Sequence, residues 1–260
     1  MEVHHHPHVE KKNFKEYFLE FVMIFLAVTL GFFAENIREH ITEKKGAKDY
    51  ARSLIHDLKK DTAMVQVDIN QMKEVISRID SLADFLKNKE IKDLNNLMLY
   101  HYMRFECDYK PYSWSRATLD QIKSSGSLRY FPNDSLIMKI SAYDAFTKHL
   151  DEDFNGDEAR NDRVSEKRND IVNLNYSSQT GSPAEHKMDS VLPYYFKTTN
   201  KNEQPDLQLL TDNINEIRSL VNDYLIIKKN FMVRSEYELP ELIEEATEVI
   251  VMLKKEYNLK

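Results

Sequence analysis

The sequence predicts an all-α protein: an N-terminal transmembrane helix continuing into a long helix packed in a helical bundle. Three observations predict it. Chain breakers are scarce, with five glycines and seven prolines in 260 residues, which favours long helices over a turn-rich β protein. One apolar stretch near the N-terminus carries no charged residue between Glu20 and Glu35. Behind it, apolar side chains recur at alternating four- and three-residue steps, the period of a helix that buries one stripe.

Composition narrows the function classes. An apolar fraction of 42% with 30% charged residues suits a soluble domain on a single anchor and is too polar for a multi-span protein. The net charge of −7 offers no basic face for phosphates, so nucleic acid is not an expected partner. A single cysteine, Cys107, excludes an intrachain disulfide and a multi-cysteine metal site. Without an activating neighbour in sequence it reads as a small buried side chain.

Residues 1–13 form a polar, His-rich tail. His4, His5, His6 and His8 are candidate metal ligands through their neutral imidazoles, although Pro7 interrupts any regular geometry. Residues 14–35 are the expected span. Its uncharged core, 21–34, is shorter than the roughly 20 residues that cross a bilayer; Tyr17, Phe18 and Leu19 extend it, with Tyr17 suited to the interfacial belt. A cleaved signal peptide fits poorly, because Phe32-Phe33-Ala34 does not offer small residues at both −1 and −3 of a cleavage site. Ala27, Gly31 and Ala34 are spaced so that two spanning helices can approach closely. The expected partners are therefore the lipid bilayer, a second copy through the span or stalk, and a protein of unspecified identity.

The helical domain occupies 36–260, beginning with a stalk helix over 36–87. Its ladder runs Ile37, Ile41, Lys44, Lys48, Ala51, Ile55, Leu58, Thr62, Val65, Ile69, Met72, Ile76, Ile79, Ala83, Leu86, a heptad seam that a coiled-coil or bundle partner must cover. The C-terminal helices, 207–258, repeat the spacing. One carries Leu207, Leu210, Ile214, Ile217, Val221 and Tyr224; the other carries Leu239, Leu242, Ala246, Val249, Leu253 and Tyr257. An intramolecular bundle of these with the stalk is the economical arrangement. Ser235 and Glu238 read as a capping box before the last helix, with Pro240 in its first turn.

Middle helices are expected within 91–176 and a long loop over 177–206, with one short helix near 186–192. A first middle helix covers 91–105. Ser115 is the expected cap of the next, which ends at Gly126, where a left-handed residue suits glycine. Residues 127–131 read as an extended link, and Asn133 or Asp134 starts the following helix through Leu150. The acidic run Asp151–Glu158 lacks the spacing of a calcium loop and reads as a solvated turn before a polar helix over 158–175. Tyr100, Tyr102, Arg104, Tyr112, Trp114 and Arg116 form the one candidate ligand pocket, although aromatic residues with polar handles more often serve a core.

No catalytic constellation is present in the sequence: no phosphate loop, no His-Glu-x-x-His pair, no nucleophile elbow. The expectation is a protein that is not an enzyme and uses no cofactor. Two stretches carry a resemblance. The first is Phe14-Lys15-Glu16-Tyr17-Phe18-Leu19-Glu20-Phe21, leading through Phe33-Ala34-Glu35-Asn36-Ile37-Arg38-Glu39 to Tyr50-Ala51-Arg52-Ser53-Leu54-Ile55-His56-Asp57-Leu58. The second is Thr118-Leu119-Asp120-Gln121-Ile122-Lys123-Ser124-Ser125-Gly126-Ser127-Leu128-Arg129, with Tyr143 downstream. Together they resemble a family of uncharacterised single-span, N-terminally anchored helical proteins of Bacteroidota-type bacteria. The resemblance covers about half the chain and implies an inner-membrane location with the helical domain in the periplasm. It implies no activity. The functional expectation is a membrane-anchored, non-enzymatic interaction or scaffold module. The alternatives are a small-ligand sensor on a membrane anchor and metal handling by the histidine tail.

Overall fold

A computed structural model describes residues 13–87, 89–94, 96, 99, 103, 110–173 and 208–259. The described residues are all-α, without a strand. Four long helices dominate: α1 Phe14–Leu86, α3 Asp134–Ile171, α4 Ile214–Val233 and α5 Leu239–Tyr257. A short helix, α2 Ala117–Ser124, and 3-10 turns at Ile91–Asp93 and Ser127–Tyr130 complete the architecture.

The 73 residues of α1 make a rod about 110 Å long. Glu16 reaches back to the Asn13 N–H at 3.0 Å and satisfies one of the donors that a helix start leaves open. The rod has three zones. Large apolar side chains from Phe14 to Phe33 point outward uncovered. None of the most apolar 18-residue window is buried, and the helix is long and apolar enough to cross a membrane. Within it the Thr29 hydroxyl donates to the Phe25 carbonyl at 2.7 Å, which satisfies a polar group without water. Residues 35–46 form a charged neck of about 18 Å, in which no residue is buried. From Ala47 onward the bundle covers one face.

That face follows the predicted ladder and widens it. Ala51, Ile55, Leu58, Val65, Ile69, Met72, Ile79 and Leu86 are buried, and Ala47, Leu54, Asp61 and Leu82 join them. The stripe is broader than a two-position seam because α1 packs against both α4 and α5. The first rungs, Ile37 and Ile41, lie in the neck and stay exposed. The stalk's partner is the chain itself: α4 and α5 pack on α1 along one side and on α3 along the other. Tyr224, Phe231, Leu220 and Leu239 fill that shared interior. Each such side chain contributes on the order of 1.5–3 kcal/mol by leaving water.

Several sequence expectations are corrected. The 158–175 helix is not separate: α3 runs unbroken through Asp151–Glu158, because Phe154 and Asp157 turn into the core while Glu152, Asn155 and Glu158 stay in water. The capping box at Ser235 does not form. Residues Arg234–Glu238 make a π-helical turn that joins α4 to α5 without a break. Pro240 lacks an N–H and crowds the preceding turn; the wider π turn gives its ring room. Ser115 does not cap α2. Its N–H donates to Asp61 Oδ1 at 2.8 Å, and Arg116 precedes the helix instead. The extended link at 127–131 is a 3-10 turn through Tyr130. Residues 91–93 form a 3-10 turn where a regular helix was expected. Gly126 has φ +68°, the left-handed conformation that suits glycine, and Asn133 caps α3 by accepting from the Leu136 N–H. Leu207 and the expected short helix near 186–192 lie outside the described residues.

Candidate functional site

Of the sequence-predicted site residues, His4, His5, His6 and His8 lie outside the described residues, as do Tyr100, Tyr102, Arg104 and Cys107. Ala27, Gly31 and Ala34 lie on the uncovered part of α1. Tyr112, Trp114 and Arg116 sit together against α3. The Tyr112 and Trp114 rings stack at 5.0 Å, and Tyr112 meets Phe154 edge-on. Trp114 Nε1 donates to Asp151 Oδ1 at 2.8 Å, and Arg116 Nη2 donates to Asp151 Oδ2 at 2.6 Å. The Trp114 N–H and the Arg116 Nη2 are therefore engaged inside the fold, clamping Trp114 and Arg116 to α3.

Beside this clamp, Asp61 of α1 is buried. It accepts from the Tyr143 hydroxyl at 2.9 Å and from the Ser115 N–H. Burial, reinforced by the Asp61 charge, holds the Tyr143 phenol protonated well above its ordinary range. Lys123 and Lys148 converge on Asp144 at 2.7 and 2.8 Å. Burial pushes the Asp144 carboxyl up, and the two ammonium groups outweigh it, leaving the carboxyl below its usual range. These networks tie α1, α2 and α3 together, and among the described residues they offer no reacting pair facing a cavity.

Two concave surfaces stand out among the described residues. The larger, about 730 Å³, lies where the neck enters the bundle, between α1 and the α2 turn. It is polar: Glu35, Glu39, Glu43 and Asp49 line it from α1, with Tyr50 and Ser53 above them and Thr118, Gln121, Ser125, Ser127 and Tyr130 opposite. At its end nearer the N-terminus Arg38 Nη2 donates to Glu35 Oε1 at 2.5 Å, one turn back on the same helix. Gly46 is in the wall, and a Cβ there meets nothing within 4 Å.

The smaller cleft, about 360 Å³, flanks the π turn. There Arg234 is buried to 6% exposure. Its guanidinium donates to Asp157 Oδ2 at 2.8 and 3.1 Å, to Asp153 Oδ2 at 2.8 Å and to Glu238 Oε2 at 3.2 Å, while Asn230 donates to Asp157 Oδ1 at 2.7 Å. Sequence reasoning missed this cluster. A signal existed: His149, Asp153 and Asp157 stand four residues apart on one helix face, and Arg234 is the one basic residue between Lys229 and Lys254. Their pairing joins positions 77 apart, which no local pattern encodes.

No family model matches this chain, and comparison with curated proteins and with solved structures returns no match.

Proposed function

We propose that the chain is a single-pass, membrane-anchored helical module that acts by non-enzymatic interaction or scaffolding. The observation that supports this reading is the uncovered apolar surface of α1 from Phe14 to Phe33, on the same unbroken helix whose later turns the bundle buries. A side chain such as Phe25 or Leu30, more than half exposed in water, costs free energy that a bilayer removes. The neck then sets the bundle at a fixed height above the bilayer. Self-association through Ala27, Gly31 and Ala34, or through the exposed Ile37 and Ile41, belongs to the same reading. So do a bacterial inner-membrane location and a periplasmic bundle, as in the N-terminally anchored family that the sequence resembles. Alkaline extraction of membranes from expressing cells tests the anchor. The chain is expected in the pellet and its 35–260 fragment in the supernatant; full-length protein released into the supernatant contradicts it. Affinity capture from those membranes, recovering neither a second copy nor a partner, contradicts the interaction role.

A small-ligand sensor is the second reading. The polar cleft at the neck favours it. A thermal-shift screen with and without Gly46→Phe separates the two readings. A ligand that raises the transition temperature of the parent alone supports a sensor.

A further inference from the structure

We propose that His149, Asp153 and Glu238 form a divalent-cation site of the zinc class at the π turn, independent of the membrane anchor. His149 and Asp153 stand one turn apart on α3, and Glu238 arrives from the end of the π turn. One donor atom from each lies within 4.8 Å of the other two. His149 Nε2 is 3.4 Å from Asp153 Oδ2. That is long for a good hydrogen bond, but close to the roughly 3.3 Å edge of a tetrahedron with zinc–ligand bonds of 2.0–2.1 Å.

The surroundings preorganise the three donors. The imidazole stacks against Phe146, ring centres 6.5 Å apart, which limits its rotation. Arg234 Nη1 holds one oxygen of Asp153 at 2.8 Å and one of Glu238 at 3.2 Å. Asp153 Oδ2, the oxygen nearest His149, is also the one Arg234 holds, so it meets a metal through its remaining lone pair, while the other oxygen of each carboxylate is left for the metal as well; outer partners orient metal-binding carboxylates in this way. Asp153, Asp157 and Glu238 stand against two guanidiniums, Arg234 and, 3.7 Å from Asp157, Arg160, so the three carboxylates keep a net negative balance that a dication offsets. The adjoining cleft, which Asp153 and Glu238 line, leaves room for a water to complete four-coordination. The π turn has a role here: it swings the chain by an extra residue before Pro240 and brings Glu238 toward α3.

The test uses the full chain in detergent micelles with zinc chloride as the probe, in a background where His4, His5, His6 and His8 are all changed to alanine so that the tail contributes nothing. Equilibrium dialysis with metal analysis gives stoichiometry and affinity, and circular dichroism verifies the fold. The expected result is one zinc per chain in the background protein. His149→Ala and Glu238→Gln each lower that affinity by more than the roughly 10–100-fold that loss of an outer partner brings. Both changes fall on side chains in contact with solvent, His149 at 55% and Glu238 at 23% exposure, so the helices persist. No bound zinc in the background protein, or affinity unchanged in either variant, overturns the proposal.

Discussion

Asp68 is half-buried on α1, and burial pushes its carboxyl from 3.8 to about 6. A carboxyl raised in the fold contributes stability that is fully present below its unfolded value and lost as pH rises through about 6. A rise of that size corresponds to roughly 3 kcal/mol between the two protonation states; partial solvent contact reduces this to about 1 kcal/mol. Asp68→Asn is therefore expected to exceed the parent in stability by about 1 kcal/mol at pH 7.5 and to match it at about pH 3, below the unfolded value, by urea unfolding at both values. The buried charges behave oppositely. Arg234→Met removes the guanidinium that holds Asp153 and Asp157 and leaves Asp157 only the longer pair with Arg160 at 3.7 Å, and the expected loss is about 3–5 kcal/mol. Arg38, whose side chain is 74% exposed in its pair with Glu35, is expected to tolerate alanine with no measurable change in transition temperature. Tyr143→Phe removes the hydroxyl that Asp61 accepts from and leaves it the Ser115 N–H, for a loss of about 1–3 kcal/mol.

At the level of the elements, Gly46 sits in the first turns where α1 meets the bundle, helical and with open space where a Cβ would stand. Gly46→Ala is expected to raise stability by up to about 1 kcal/mol through helix propensity alone, read as an increase in transition temperature by circular dichroism. The stalk was legible because its seam repeats over many turns, and a long period averages out local noise. The end of α2 at Gly126 and the start of α3 at Asn133 were legible because each has a local cause in backbone conformation or capping. The π turn was not legible. Ser235 and Glu238 satisfy a capping pattern in sequence, but Arg234 is drawn across to α3 by Asp153 and Asp157, and this long-range pairing keeps the helix continuous. Ser115 is likewise tied to a distant segment: its backbone N–H is held by the buried Asp61 of α1, and Arg116 takes the position before the helix. The acidic run Asp151–Glu158 misled for a related reason, since its partners Arg116, Trp114 and Arg234 come from distant segments.

Over the whole molecule, α1 divides into a surface that the chain leaves bare and a surface that it covers, with the neck between them. The first buried residue of α1 is Ala47, so the helix up to Ala34 adds nothing to the bundle's core. The fragment 35–260 is expected to fold as a helical protein whose transition temperature lies within a few degrees of the full chain in detergent. A collapse of helicity would show that the apolar segment belongs to the core. Cross-links between helices hold the rod together from the neck outward. Arg129 approaches Glu43 at the base, Lys139 joins Glu245 and Glu248 of α5, and Lys228 meets Asp80 at 2.5 Å. The Lys139 and Lys228 pairs join α5 to α3 and α4 to α1, adding modestly to the register that core packing sets.

Nitroxide scanning of residues 18 to 60 in the full chain, reconstituted in phospholipid vesicles, reads both halves of α1 in one experiment. Collision with dissolved oxygen, which partitions into lipid, is compared at each position with collision by a water-soluble nickel complex. A membrane-borne rod gives oxygen-dominated exposure on every face from 21 through 33 and a crossover to water across the neck at 35–46. From Ala47 onward, protection from both reagents should recur with the helical period of about 3.6 residues. Exposure to the nickel complex throughout 21–33, or helical-period protection there, would contradict it.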